Sequence, residues 1–106
     1  MGQSLVMAYL HITFSTKHRE PYLRNNDTRN NLFAYMAGIC KRMRGPAILI
    51  NGVEDHVHLL VKQSKTIAIS DYLRELKKAS SLWMDDNSGV KDFHWQDGYG
   101  KRPKTC

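Results

Sequence analysis

Two imidazoles one residue apart are the first chemistry that the chain offers. His56 and His58 lie within Gly52-Val-Glu-Asp-His-Val-His-Leu-Leu-Val61. Side chains alternate faces along a strand, so the two histidines share one face while Val57, Leu59 and Val61 take the other. Neutral imidazole is a good ligand for divalent ions, and two on one rigid face form a cation-binding pair. With a third ligand and an open position for substrate, such an ion polarises a phosphodiester and steadies its leaving oxygen. Glu54 and Asp55 read as turn residues, although a carboxylate there also suits a hard cation. The simpler alternative is an ordinary strand whose polar face happens to carry two histidines.

The elements that must position this pair are legible as periodicity. Val6 to Phe14 alternates, with Val6, Ala8, Leu10, Ile12 and Phe14 on one face and Met7, Tyr9, His11 and Thr13 on the other. A polar, basic loop runs from Ser15 to Leu23. Asn25, Asn26 and Asp27 offer helix-cap chemistry. Leu32, Met36, Ile39 and Met43 then recur at helical spacing, which predicts a helix over about 27–44, stopped by Gly45-Pro46. A short strand over 47–51 turns through Gly52–Asp55 into the histidine strand. Thr66 or Ser70 caps a second helix that runs to about Asp85, with Ile69, Leu73, Leu76 and Trp83 near one face. Asp92 to Gln96 reads as a last strand, ended by Gly98-Tyr99-Gly100.

The order is β-α-β-β-α-β, an α+β arrangement of the ferredoxin-like or RRM-like kind. Right-handed crossovers place the first and third strands at the centre of an antiparallel sheet, with both helices on one face. His11, His56 and His58 are then expected on the open face. Tyr9, Met7, Leu60 and Trp95 join them there, and such a surface needs a cover, a ligand or a partner.

Composition narrows the partners. Sixteen Lys and Arg against ten Asp and Glu give a net charge of +6, which favours a polyanion, nucleic acid first. No apolar run approaches the ~20 residues of a membrane span, and no signal-peptide pattern opens the chain, so a cytoplasmic protein is expected. Cys40 and Cys106 form no close-spaced motif, in keeping with free thiols. Residues 1–100 read as one domain and 101–106 as a short basic tail.

The segment around His56 and His58 resembles the His-hydrophobic-His signature of the HUH single-tyrosine transposases of small bacterial insertion sequences and their REP-associated relatives. Other stretches are similar in the same order. His11-Ile-Thr-Phe-Ser-Thr-Lys-His-Arg-Glu-Pro-Tyr-Leu23 looks like the family's first strand and loop. Arg74-Glu-Leu-Lys-Lys-Ala-Ser-Ser-Leu-Trp83 looks like its second helix, and Phe93-His-Trp-Gln-Asp-Gly-Tyr-Gly100 like its last core strand. The resemblance implies Mg²⁺ or Mn²⁺ on His56 and His58. It also implies single-stranded DNA as substrate, in hairpins or palindromes, and a homodimer. It implies a tyrosine that attacks the DNA backbone to give a 5′-phosphotyrosine link.

That tyrosine has no counterpart among the matched residues. The family carries it on a further helix after Gly-Tyr-Gly, with a glutamine or similar third ligand. Here the pattern breaks at Lys101, and Pro103 opposes a helix. The resemblance therefore implies a truncated or frame-shifted copy that retains the fold and DNA binding but is defective in cleavage. Tyr99 is the remaining candidate nucleophile, since it lies in a loop past the last strand. Lys17, Arg19, Arg24, Lys62, Lys65, Lys101 and Arg102 are candidate backbone contacts, with ordinary solvated charge as the alternative. The competing function is a metal-binding ferredoxin-like module or small phosphoesterase outside the transposases.

Overall fold

The computed structural model describes residues 8–90 and 93–96. Strand β1 (Tyr9–Ser15) leads through a 3₁₀ turn (Lys17–Arg19) to helix α1 (Asn26–Arg42). Strands β2 (Ala47–Val53) and β3 (His56–Lys62) follow, then helix α2 (Ile69–Asn87). The strands form an antiparallel sheet in the order β1-β3-β2, so the histidine strand has a neighbour on each side. Thr13 of β1 and Asn51 of β2 both lie opposite His58.

Alternation along β3 is strict. Val57, Leu59 and Val61 are wholly buried, and the residues between them are half-exposed. Both helices lie against the buried side. α1 contributes Leu32, Met36, Ile39 and Cys40, and α2 contributes Tyr72, Leu73, Leu76, Ser80 and Met84. With Ile12 and Phe14 of β1 these make one apolar cluster. The fold is thus α+β and ferredoxin-like, with both helices on one face of the sheet.

The expected last strand over Asp92 to Gln96 is not formed as a strand among the described residues: the sheet has three strands, and residues 93–96 add one isolated bridge beside β1. Trp95 bridges Thr16 on the free side of β1, Lys17 N donates to His94 O, and Gln96 N donates to Ser15 O. Asp92 lies outside the described residues, as do Val6 and Met7 of the expected first strand.

Several local expectations change. Trp95 is not on the open face: it is buried on the helix side, where its Nε1 donates to Ser80 Oγ at 2.9 Å. That bond draws Ser80, a polar residue, into the buried stripe of α2. Leu73 and Leu76 are buried as expected, but Ile69 is exposed and Trp83 is half-buried, stacked on Tyr35. Neither Thr66 nor Ser70 caps α2, whose N-cap position is Ala68. Ser64 organises the approach: its Oγ accepts from the backbone N–H of Thr66 and Ile67 and donates to Met43 O. Asn25, by contrast, caps α1 as its type suggests, accepting from Thr28 N at 2.9 Å.

Two glycines serve close packing rather than turns. The reversal between β2 and β3 is the pair Glu54-Asp55, and Gly52 lies inside β2. A Cβ on Gly52 would sit 2.5 Å from His56 O, so the second residue of this strand pair has no room for a side chain there. After α1 the left-handed residue is Arg44 (φ 62°), not Gly45. A Cβ on Gly45 would meet the Tyr72 ring at 2.7 Å and Lys62 O at 2.8 Å.

Candidate functional site

The side of β3 that faces away from the helices carries His56 and His58 together. Their ring centroids are 4.8 Å apart and the rings stand nearly perpendicular. His11, on the neighbouring strand, has its ring 5.7 Å from that of His58. Three histidines therefore share one face, as alternation requires. They do not converge on one point, because His11 lies opposite Leu60 while His56 lies opposite Ser15, four positions further along β1. Among the described residues no group of three or more His, Cys, Asp or Glu is placed to hold a metal ion.

Each member of the pair is held by its inner ring nitrogen. His56 Nδ1 is 2.8 Å from Asp55 Oδ1, and Asp55 Oδ2 accepts from Arg19 Nε at 3.2 Å. His58 Nδ1 is 3.1 Å from Thr13 Oγ1. An Nδ1–H donated to Asp55, and another to Thr13, leave Nε2 of each ring with a lone pair for a cation. The hydrogen bond from His56, and then that from Arg19, hold the Asp55 carboxyl below its ordinary range.

The loop after β1 is stapled to the β2–β3 turn so that Arg19 reaches Asp55. Thr16, wholly buried, gives its backbone N–H to Asp55 O at 2.9 Å and its Oγ1 proton to Glu20 O at 2.6 Å. Leu23 N donates to Glu54 O at 2.9 Å. His18 and Arg19 both take positive φ, 57° and 55°, at a cost of about 1–2 kcal/mol each for residues with a Cβ. Arg19 N bonds Thr16 O and His18 N bonds Gln96 Oε1, which offset that cost.

The basic candidates divide between the ends of the sheet. Lys17, Arg19 and Arg24 are exposed near the Glu54-Asp55 turn, the end that holds His56. Lys62, opposite Tyr9, and exposed Lys65 lie at the other end of β3. Lys101, Arg102 and Tyr99 lie outside the described residues.

None of the four described tyrosines stands beside the histidine pair. Tyr72 is buried and donates to Gly45 O at 2.6 Å; burial, and then the Cys40 thiol, raise its hydroxyl far above the usual range. Tyr35 stacks on Trp83, and Tyr22 packs edge-on against Phe93. Tyr9 is on the open face but opposite Lys62, at the far end from His56.

Thr13 and the orienting part played by Asp55 were not singled out from the sequence. Asp55 beside His56 was visible as a neighbour. Thr13 could be found only by fixing the β1–β3 register, which a separation of 45 positions along the chain conceals.

An antiparallel sheet with helices on one side and paired imidazoles on the other defines an α+β protein of ferredoxin-like fold that presents polar side chains on an open face. The family model for IS200-like transposases matches residues 4–103, and the chain belongs to that family. Its structure is similar to that of a provisionally assigned transposase from Deinococcus radiodurans R1, with a TM-score of 0.73 and 23% identity. That match covers 81% of this chain and 66% of the other, so the chain spans about two thirds of its neighbour's length. No curated protein matches significantly. No helix among the described residues is long and apolar enough to cross a membrane.

Proposed function

We propose that the chain binds single-stranded DNA, in hairpin or palindromic form, and holds a divalent cation between His56 and His58 against one phosphate. The observation that carries this is the double anchoring of Nδ1, by Asp55 at 2.8 Å and Thr13 at 3.1 Å, on two rings 4.8 Å apart. Outer partners of this kind fix a ligand ring's tautomer and direction. The donor set suits Mn²⁺ better than Mg²⁺, since two imidazole nitrogens favour the softer ion. The cation would supply charge to a phosphate oxygen. The chain's own residues do the rest: Lys17, Arg19 and Arg24 surround the same end with positive charge, and Lys62 and Lys65 extend it. Lys101 and Arg102 are proposed to add to this charge.

Residues 1–100 act as one core domain, in the cytoplasm where such DNA is found, and a homodimer is the proposed assembly. Cleavage through a phosphotyrosine is the family reaction implied by the resemblance. For the described residues we infer DNA binding without cleavage, because no described tyrosine neighbours the pair. Tyr99 is the candidate that would reverse this reading.

The test uses the full chain, a labelled hairpin oligonucleotide and Mn²⁺. Salt-sensitive binding is expected, with affinity falling steeply as salt rises, and with no covalent protein–DNA adduct on a denaturing gel. An adduct abolished by Tyr99→Phe overturns binding without cleavage. Failure to bind single-stranded DNA at low salt overturns the whole proposal and favours a metal-binding module.

A further inference from the structure

The open face does not end at the histidine pair. Tyr9 and His11 continue along β1 from the point where the His11 and His58 rings stand 5.7 Å apart. Tyr9 is 49% exposed and His11 is exposed. Lys62 lies opposite Tyr9 on the same face, since Val61 beside it points into the core. No Asp or Glu occupies an open-face position of β1, β2 or β3. A row of rings thus runs from His56 to Tyr9, with Lys62 at the Tyr9 end and Arg19, paired with Asp55, at the His56 end.

We propose that Tyr9 and His11 form a stacking platform for unpaired DNA bases flanking the phosphate held at His56 and His58. This deepens the preceding functional reading and rests on it for the position of the phosphate. Three physical features select unpaired DNA as the occupant. No strand position of the face is acidic, and the Asp55 carboxylate at its His56 end is paired with Arg19, so a polyanion crossing the strands meets little repulsion. Bases stack on aromatic faces without regard to sequence, and a sheet of this architecture takes about two or three bases. His58 and Lys62 are four residues apart, about 13 Å along the strand, which leaves space for a base or two between cation and lysine. Duplex DNA cannot use the platform, because its bases are already stacked inside the helix.

The experiment is an affinity series with the full chain and a short single-stranded oligonucleotide, set against the same sequence as a blunt duplex. Measurements are made with Mn²⁺ and again in chelator. Tyr9→Ala is expected to weaken single-strand binding roughly tenfold in both conditions, the size of one lost stacked base, and to leave duplex binding unchanged. Tyr9→Phe, which keeps the ring, restores it. An oligonucleotide carrying one abasic position then locates the base: one position alone becomes insensitive to Tyr9→Ala. With Fe²⁺ in place of Mn²⁺, and hydrogen peroxide as oxidant with ascorbate to re-reduce the iron, local strand scission marks the phosphate at the histidines, and the sensitive base should lie one to three nucleotides away.

The arms keep the two readings apart. If Fe²⁺ scission fails but the Tyr9 effect stands, the cation site falls and the platform survives. If scission is sharp but Tyr9→Ala binds single strands like the parent, the platform is overturned. A change of oligomeric state in Tyr9→Ala by light scattering, with DNA affinity unmoved, also overturns it and assigns the face to a second copy of the chain.

Discussion

Val57, Leu59 and Val61 are wholly buried, while His56, His58 and Lys62, each one residue away, stay half-exposed. The two faces of β3 therefore meet opposite demands through one backbone. The helix side is tuned to volume, the open side to direction. On the helix side a methylene matters because neighbouring atoms cannot close the gap. On the open side, ring orientation matters and volume does not, so Asp55 and Thr13 fix nitrogen positions rather than fill space. The strand's period of two keeps these tasks from interfering, and a slip of one residue would exchange them.

Four measurements would break or sharpen that contrast. Leu59→Ala should lower stability by about 2–5 kcal/mol in urea unfolding, because a cavity opens at the centre of the core. A loss under ~1 kcal/mol would mean that the helix face is loosely packed. His58→Ala should do the reverse: Mn²⁺ binding by calorimetry disappears, while stability moves by no more than ~0.5 kcal/mol. Equal loss of stability in both variants would erase the distinction between the faces.

Asp55→Asn should weaken Mn²⁺ binding about ten- to a hundredfold, the usual cost of losing an outer partner of a ligand histidine. Thr13→Val should act more weakly, since a neutral hydroxyl polarises the ring less than a carboxylate does. Unchanged affinity in both would show that the rings are held by packing alone.

The smallest effect concerns pH. Asp55 is held below its ordinary value, so its contribution to stability is present above about pH 4 and is lost as pH falls through the lowered folded value. Carboxyl chemical shifts followed from pH 5 downward should show Asp55 titrating below the other aspartates. Arg19→Ala should raise its midpoint while His56 retains part of the shift. An unchanged midpoint would mean that the Arg19 contact at 3.2 Å adds nothing in solution.

Legibility in the sequence followed the range of the interactions concerned. The β3 faces were readable because alternation is local, and α1 because Asn25 and the Leu32, Met36, Ile39 spacing lie within one helix. The buried stripe of α2 was legible at Leu73 and Leu76 but not at Ser80 and Met84. Its orientation depends on Trp95 reaching Ser80, 15 residues away, and polar Ser80 does not announce itself as core. Gly52 was read as part of a turn, whereas its role is to let His56 O approach. That contact is invisible until the strands are paired.

The sequence by itself determined the order of strands and helices from β1 to α2, the shared face of His56 and His58, and membership in the transposase family, since each follows from local period or residue pattern. Tertiary structure alone decided what holds those rings. Thr13 meets His58 only across a strand pair, and Arg19 reaches Asp55 only because buried Thr16 fastens its loop to the β2–β3 turn. The physical reason is range: alternation is set by neighbouring peptide units, whereas hydrogen bonds between distant residues exist only after the chain has closed on its core.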